Sequence, residues 1–175
     1  MAWNIDTTHS SVSFSVRHMV FAKVRGKFAK WTGQLDLDDQ DLSKSKVDVT
    51  LEAASIDTNE AQRDGHLKSA DFLDAEKFPQ LTFKSRSVKT DGKDKATVTG
   101  DLTIKGVTRE VPLQVELSGR GKDPWGNQRV GFTATGTVNR TDFGLKWNQV
   151  LEAGGVLVGE KVEIEIELQA VEKKA

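Results

Sequence analysis

The three histidines, His9, His18 and His66, are the residues of this chain that could most readily hold a metal ion. A catalytic zinc site uses about three such ligands and leaves one position open for water or substrate. The spacing argues against this chemistry, because His9 and His18 lie on or beside one predicted strand and no H-x-H or H-x-x-x-H pair occurs. We therefore expect structural histidines and no metal, and keep a metal-assisted enzyme using His9, His18 and His66 as an alternative.

Other catalytic patterns are missing from the sequence. The chain has no cysteine, which excludes disulfides, thiol nucleophiles and Cys-ligated metals. Its serines lack a G-x-S-x-G elbow. The turn Glu152-Ala153-Gly154-Gly155 lacks the lysine and helix start of a phosphate-binding loop. We predict no catalytic residue, no cofactor and a protein that is not an enzyme.

One polar, helix-prone segment, from Thr58 to Phe83, contains the grouping Arg63-Asp64-Gly65-His66-Leu67. Asn59 is typical of a helix cap, Ser69 could cap a second short turn, and the glycine between them would interrupt the helix. Phe78-Pro79 ends the segment, because the residue before proline avoids helical geometry. We expect one or two broken helical turns against the rest of the fold. The side chains expected to face it are Leu67, Phe72, Leu73 and Phe78.

Apolar and polar residues alternate along most of the remaining chain, which is typical of half-buried antiparallel strands. About eight strands are predicted, near 11–18, 29–37, 47–53, 81–86, 96–104, 111–117, 130–138 and 161–170. Glycine in Lys105-Gly106 favours a hairpin turn there. Eight such strands can close into an up-and-down barrel. The predicted fold is all-β: an eight-stranded antiparallel barrel with a short helical insert, forming one domain over residues 1–175.

Small residues share the inward faces of these strands with large apolar ones. They are Ala29, Gly33, Ala53, Ala96, Gly100, Ala134 and Gly136. One interpretation is tight packing and barrel curvature. The other is that these positions hollow the lumen and leave a deep apolar cavity for a chain-shaped ligand. On the second interpretation, Gly100→Trp or Ala134→Trp should block ligand uptake in a folded barrel.

The tryptophans and the charges bear on partners and location. Trp3, Trp31, Trp125 and Trp147 are scattered without a basic cluster, so packing in the core or at the barrel ends is favoured over a stacking surface. A net charge of −1 and the lack of a long apolar stretch predict no nucleic-acid partner and no membrane span. The first residues lack the basic and apolar regions of a secretory signal, so we expect a cytoplasmic location, or a periplasmic one if a leader was removed.

Several motifs follow one another through almost the whole chain. They are Trp3-x-Ile5-Asp6-x-x-His9-Ser10, Ser55-Ile56-x-Thr58, Arg63-Asp64-x-His66-Leu67, Asp71-Phe72, Phe78-Pro79-x-Leu81-x-Phe83, Gly100-x-Leu102-x-Ile104-x-Gly106-Val107-Thr108 and Arg140-x-Asp142-Phe143-Gly144. In these motifs the chain closely resembles the YceI-like polyisoprenoid-binding family. The resemblance implies an extended, lipocalin-like eight-stranded barrel whose apolar interior holds a long isoprenoid tail, such as that of a quinone or a polyprenyl phosphate.

The alternation and the resemblance together predict non-enzymatic binding, storage or transport of a long-chain polyisoprenoid lipid. The predicted ligand-binding residues are Phe14, Val16, His18, Trp31, Leu67, Phe72, Phe78, Leu81, Phe83, Gly100, Leu102, Ile104, Leu113, Val115, Phe132, Ala134, Phe143, Ile164 and Ile166. Arg63 and His66, with His18 as a further candidate, are expected to meet the lipid head group. The sequence is compatible with the formation of a homodimer. A stress-related structural module with a packed barrel is the second alternative.

Overall fold

The strands of the computed structural model form one antiparallel sheet, and the structure describes residues 2–19, 22–148 and 157–173. Within these ranges the strands are β1 Ala2–Ile5, β2 Ser11–His18, β3 Ala22–Phe28, β4 Trp31–Asp36, β5 Lys46–Glu52, β6 Ile56–Asp57, β7 Gln80–Asp91, β8 Lys95–Ile104, β9 Val107–Lys122, β10 Gln128–Asn139 and β11 Val158–Glu172. The α-helix is α1 Ala61–Lys68, and 3₁₀ turns cover Thr7–His9, Leu42–Lys44, Ala53–Ser55 and Arg140–Phe143. The turn at 152–155 lies outside the described residues.

The sheet closes on itself because β1 pairs with both β4 and β11. Three barrel strands are interrupted: β1 and β2 by the 3₁₀ turn Thr7–His9, β3 and β4 by a bend at Ala29-Lys30, and β5 and β6 by the 3₁₀ turn Ala53–Ser55. The two parts of an interrupted strand continue one another along the barrel. For example, β1 and β2 both pair with β11. The predicted eight-stranded antiparallel barrel with a helical insert is confirmed.

Three half-strands, β1, β3 and β6, lie outside the predicted strands, and β3 is the longest of them. In β3 the inward positions are Val24, Gly26 and Phe28, and the glycine weakens an otherwise regular alternation. A side chain at Gly26 would collide with the ring of Phe14 on the neighbouring strand β2. Ala29, predicted to point inward, is instead exposed in the bend that separates β3 from β4.

One end of the barrel is filled by side chains. Its buried residues include Trp3, Leu35, Leu37, Val130 and Ala170. The guanidinium of Arg120 lies over the Trp3 ring, 5.7 Å from the ring centroid, and forms an ion pair with Asp39 at 2.6 Å. Because apolar side chains and this cation–π contact occupy the lumen here, we call it the packed end.

The tryptophans lie in three environments. Trp3 and Trp31 are 4% and 8% exposed, as predicted for core residues, and Trp147 is half-buried. Trp125 is 79% exposed on the turn between β9 and β10, so the prediction of packing is wrong for this residue. Asp123 holds that turn by accepting from the Trp125 and Asn127 amides at 2.9 Å each.

The insert contains one complete helix followed by a turn. The cap of α1 is Glu60, whose carboxylate accepts from the amides of the first helical turn, and not Asn59 as predicted. Gly65 lies inside α1 and does not interrupt it. Ser69 ends the helix, and its hydroxyl accepts from the Asp71 amide at 3.3 Å, which begins the second, predicted turn. No helix in the described part of the chain has both the length and the apolar character needed to cross a membrane.

The hairpin between β8 and β9 turns at the predicted dipeptide. Lys105 and Gly106 have φ angles of +52° and +75°, the combination that a two-residue hairpin turn requires. Phe78 packs on this turn, since a Cβ built on Gly106 would lie 2.8 Å from its ring. Phe78 therefore covers the β8–β9 turn and does not enter the lumen.

Candidate functional site

The other half of the barrel encloses a cavity of about 310 Å³. One wall comes from β2, through Val12, Phe14 and Val16. These residues pair in the antiparallel register with Ile166, Ile164 and Val162 of β11, which also line the cavity. From Val12 to His18, strand β2 spans about 20 Å at ~3.3 Å per residue. The cavity is therefore a long apolar channel, although its volume is near the lower limit of ~300–1,000 Å³ for small-molecule sites.

Its inner end is closed by large side chains. Trp31 and Leu113, both under 10% exposed, line the cavity there with Leu168. Phe143, 2% exposed, completes the wall near the opposite end. Gly144 ends the 3₁₀ turn of Phe143 in a left-handed conformation with φ of +80°, which glycine adopts without strain.

The inward glycines do not create this cavity. A Cβ on Gly100 would lie 2.5 Å from Phe83 Cζ, and one on Gly136 would lie 2.6 Å from Leu113 Cδ2. The space beside each glycine is thus filled by a neighbouring side chain, which supports the packing interpretation at these positions. A Cβ on Gly100 would also approach the backbone oxygen of Lys84 at 2.6 Å. Gly100→Trp would therefore disturb the sheet and is not a clean test of a hollow lumen.

Most of the predicted ligand-binding side chains line the cavity. They are Phe14, Val16, His18, Trp31, Leu67, Phe72, Leu81, Phe83, Leu102, Ile104, Leu113, Phe143, Ile164 and Ile166. Five predicted residues do not line it: Phe78, Gly100, Val115, Phe132 and Ala134. The last three are inward residues of β9 and β10, and Val115 and Phe132 pack against the buried core. Period-two alternation identifies inward residues, but it does not tell a filled section of a barrel from an open one.

Polar side chains gather where the insert meets the barrel. We call this region the mouth; it consists of Arg17, His18, Arg63, His66 and Trp147, all of which line the cavity. The side chain of His66 is 37% exposed and Arg17 is exposed, so the mouth reaches solvent. The mouth includes all three predicted head-group candidates.

Arg17 was expected to point outward, because it alternates with Val16 and His18. Arg17 is exposed and pairs with Lys23 of β3, so its side chain keeps to the outer face and the residue borders the cavity at the mouth. Opposite it β11 is irregular: His18 pairs with Val158 and Val16 with Val162, which leaves a bulge of residues 159–161. Sequence alternation cannot show a bulge on a partner strand, so the position of Arg17 at the edge of the cavity was missed.

The insert is held to the barrel through Thr58, which is 4% exposed. Arg63 donates from Nε to Thr58 Oγ1 and from Nη2 to Thr58 O, both at 2.8 Å. Asp64 Oδ1 accepts from the Thr58 amide at 2.9 Å and from its hydroxyl at 2.6 Å. Arg63 and Asp64 therefore both bind the strand end, and the guanidinium keeps Nη1 for another partner, since no described residue bonds it.

His66 joins the insert to the segment around Trp147. Its ring lies edge-on to the Trp147 indole with centroids 4.5 Å apart, and edge-on to Phe72 at 5.0 Å. His66 Nε2 is 2.9 Å from Asp71 Oδ2, which fixes the orientation of the ring. The aromatic edge of the mouth is thus built from both the insert and residues near 147.

Arg140 is a buried cation behind the mouth that also lines the cavity, and its side chain organises the backbone there. It donates from Nε to Gly159 O at 2.8 Å and from Nη2 to Val158 O at 3.1 Å. Nη1 donates to Leu145 O at 2.6 Å and Trp147 O at 3.0 Å. Arg140 therefore links the chain after the 3₁₀ turn to the start of β11.

The charge of Arg140 has no close carboxylate among the described residues. The residue is 5% exposed, and burial lowers the pKa of its guanidinium from the ordinary value while the field of Glu160 opposes that shift. Its guanidinium lies 5.9 Å from the centroid of the Phe72 ring, which lines the cavity. Arg140 belongs to the motif Arg140-x-Asp142-Phe143-Gly144, from which no role for its side chain was predicted.

The third histidine lies apart from this site. His9 is 63% exposed, its Nδ1 lies 2.8 Å from Asp6 Oδ2, and it does not line the cavity. Within residues 2–19, 22–148 and 157–173, no three His, Cys, Asp or Glu side chains come together as a metal site would require. The histidines of the alternative metal enzyme are not gathered into one centre.

The chain is similar to known proteins along almost its whole length. The model of the YceI-like domain matches residues 3–170. The Protein YceI of Escherichia coli O157:H7 is 46% identical over 138 residues, covering 79% of this chain and 72% of that protein.

Two solved structures share the fold. BcnA of Burkholderia cenocepacia superposes with a TM-score of 0.83 at 25% identity, covering 95% of this chain and 99% of BcnA. A domain from Saccharophagus degradans, described as polyisoprenoid binding and implicated in plant cell wall breakdown, superposes with a TM-score of 0.72 at 13% identity, covering 98% of each chain.

Proposed function

The chain belongs to the YceI-like domain family, and from this we propose that it binds a long-chain polyisoprenoid lipid without catalysing a reaction. The observation that carries the proposal is the apolar channel, whose walls run from Trp31 and Leu113 to the mouth. An unbranched or regularly branched hydrocarbon tail matches such a shape. The fold shared with the polyisoprenoid-binding domain of Saccharophagus degradans supports the same ligand class.

The energetics favour recognition of the tail. Each methylene transferred from water to an apolar site contributes ~0.8 kcal/mol, so a few isoprene units exceed the ~0.5–3 kcal/mol of one head-group hydrogen bond. Losses of chain and overall motion on binding offset part of this gain. The role we propose is therefore storage or transport of a lipid such as an isoprenoid quinone or a polyprenyl phosphate.

The alternatives are less well supported. A structural module with a packed barrel would fill the lumen, whereas a cavity of about 310 Å³ is present beside the packed end. A metal-assisted enzyme needs at least three converging donors, and the described part of the chain brings no three His, Cys, Asp or Glu side chains together. The cytoplasmic location, the homodimer and the lack of a nucleic-acid partner stay predictions.

Mass spectrometry of an organic extract of the purified protein tests the proposal. Ile164 points into the cavity, and its neighbour Glu165 is exposed on the outer face of β11. We expect Ile164→Trp to lose co-purified lipid and its matched control Glu165→Trp to retain it, with both variants folded by circular dichroism. Equal lipid in both variants, or no isoprenoid in the wild-type extract, would contradict the proposal.

A further inference from the structure

We propose that the mouth binds an acidic head group, a phosphate or a similar oxyanion, in preference to a neutral quinone or alcohol. This inference rests on the proposed function, because the tail in the channel is what brings the head group to the mouth. It goes further by assigning the chemical class of the head group. It also gives a ligand to the arginines that line the cavity, whereas binding of the tail alone needs no positive charge there.

The side chains that line the cavity are unbalanced in charge. Arg17, Arg63 and Arg140 line it with His18 and His66, whereas no aspartate or glutamate is among its lining residues in the described part of the chain. The whole chain has a net charge of −1, so this imbalance is local. Three guanidinium groups near one apolar opening create a positive potential that favours an anion.

Three of these basic residues lie around the same two residues of β11. Arg140 donates to both Val158 O and Gly159 O. His18 pairs with Val158 in the sheet, and a Cβ on Gly159 would lie 3.5 Å from Arg17 Cβ. Arg17, His18 and Arg140 thus all border the bulged start of β11, so the two guanidinium charges act on the same end of the channel.

The arginines keep donors for a ligand. Arg17 has no side-chain hydrogen bond or ion pair with any described residue, and Arg63 Nη1 is likewise unused by the described chain. Asp64 is engaged with Thr58 and Asp71 with His66, while Glu160, on the bulge of β11, acts on Arg140 through its field and forms no ion pair with it. Guanidinium forms strong, charge-assisted hydrogen bonds to phosphate oxygens.

Burial makes the charge of Arg140 costly unless an anion approaches. The residue is 5% exposed, and its hydrogen bonds go to four neutral carbonyl oxygens. Carbonyl oxygens satisfy N–H donors but do not neutralise the charge, and a buried charge without a counter-ion is unfavourable. An acidic head group at the mouth would supply that counter-ion, and a quinone ring would not.

The test compares two ligands with the same tail, geranylgeraniol and geranylgeranyl monophosphate, by calorimetric titration of the full chain. We expect the monophosphate to bind about tenfold or more tightly, the gain of one charge-assisted hydrogen bond. The advantage should shrink as salt is raised, because salt screens exposed charges. Arg17→Gln should reduce the advantage, whereas the matched control Arg25→Gln, on the outer face of β3, should keep it.

The outcomes separate this inference from the proposed function. If both ligands bind equally well, the inference is wrong while tail binding stands; if neither binds, the proposed function fails with it. Inorganic phosphate, titrated alone, should bind far more weakly than the monophosphate, because it has no tail. If inorganic phosphate bound as tightly as geranylgeranyl monophosphate, the assignment of a lipid head group would be overturned. The same holds if Arg17→Gln kept the full preference for the monophosphate over geranylgeraniol.

Discussion

Thr58 and Asp64 are joined by two hydrogen bonds to a single carboxylate oxygen, one from the amide and one from the hydroxyl of Thr58. This pair ties α1 to the end of β6, and Arg63 reinforces it from the other side. The insert that borders the mouth is therefore fastened to the barrel by polar contacts at a residue that is almost fully buried. The position of the mouth depends on this contact.

Removal of the carboxylate should release the insert. In Asp64→Ala, two buried donors of Thr58 lose their acceptor, at a cost of about 1–3 kcal/mol in the free energy of unfolding. Asp64→Asn retains an acceptor oxygen and should lose less. The measurement is the midpoint of urea denaturation, with Asp48→Ala, an exposed aspartate of β5, as the control. An effect of Asp64→Ala no larger than that of the control would contradict this role.

The glycine of β8 that faces Phe83 should not tolerate a methyl group. Gly100→Ala would place Cβ within 2.6 Å of both Phe83 and the Lys84 oxygen, and we expect a loss of about 1–3 kcal/mol. Gly119→Ala on β9 is the matched control, because nothing lies within 4 Å of its Cβ position. The control should change stability by less than about 0.5 kcal/mol. Equal unfolding free energies for the two variants would show that Phe83 does not need this space.

Acid should weaken the network around Arg129, which bridges Asp123 at 2.9 Å and Asp6 at 3.0 Å. The hydrogen bond with His9 holds the pKa of Asp6 at about 2, with a further contribution from Arg129. The Arg129 hydrogen bond holds the pKa of Asp123 at about 2. Both values lie below the ordinary 3.8, so the stabilisation is complete above about pH 4 and is lost as pH falls towards about 2.

Denaturation midpoints measured from about pH 7 to about pH 2 test this network. Arg129→Ala should be less stable at neutral pH and should lose less stability below about pH 4 than the wild type does. Arg109→Ala, an exposed arginine of β9, should keep the wild-type pH dependence. If the stability of Arg129→Ala fell as steeply in acid as that of the wild type, the result would be inconsistent with the assigned ion pairs.

Trp147 should report occupation of the channel. Its indole lines the cavity at the mouth, whereas Trp125 is 79% exposed on the β9–β10 turn and does not line it. Addition of geranylgeraniol should shift the tryptophan fluorescence towards shorter wavelength, since a ligand excludes water from Trp147. Trp147→Phe should lose much of this shift and Trp125→Phe should keep it. The same shift in both variants would place the ligand elsewhere.

The barrel could be predicted because the residue pattern that specifies each strand lies within that strand. Period-two alternation within each strand marks the inward face, and Gly106 marks a turn that needs positive φ. The half-strand Ala22–Phe28 was missed because Gly26 stands where an apolar side chain would continue the pattern; its role becomes clear only once Phe14 is opposite it.

The site could be predicted only in part because it depends on contacts between distant segments. Arg17 borders the cavity beside a bulge on β11, and Arg140 is placed by the carbonyls of Leu145, Trp147, Val158 and Gly159. Val115 and Phe132 face inward as expected, but the lumen beside them is filled. No single segment of sequence contains that information.

Tail-length dependence of affinity is the most direct measurement of the central claim, that the channel binds an isoprenoid chain. Geraniol, farnesol and geranylgeraniol share a head group and differ only in the number of isoprene units. At ~0.8 kcal/mol per buried methylene, each added unit should tighten binding by at least about tenfold until the channel is full, even after the cost of ordering the chain. Affinities that rise in this way are the predicted result. Equal affinities for the three alcohols, or no binding of any of them, would contradict the account.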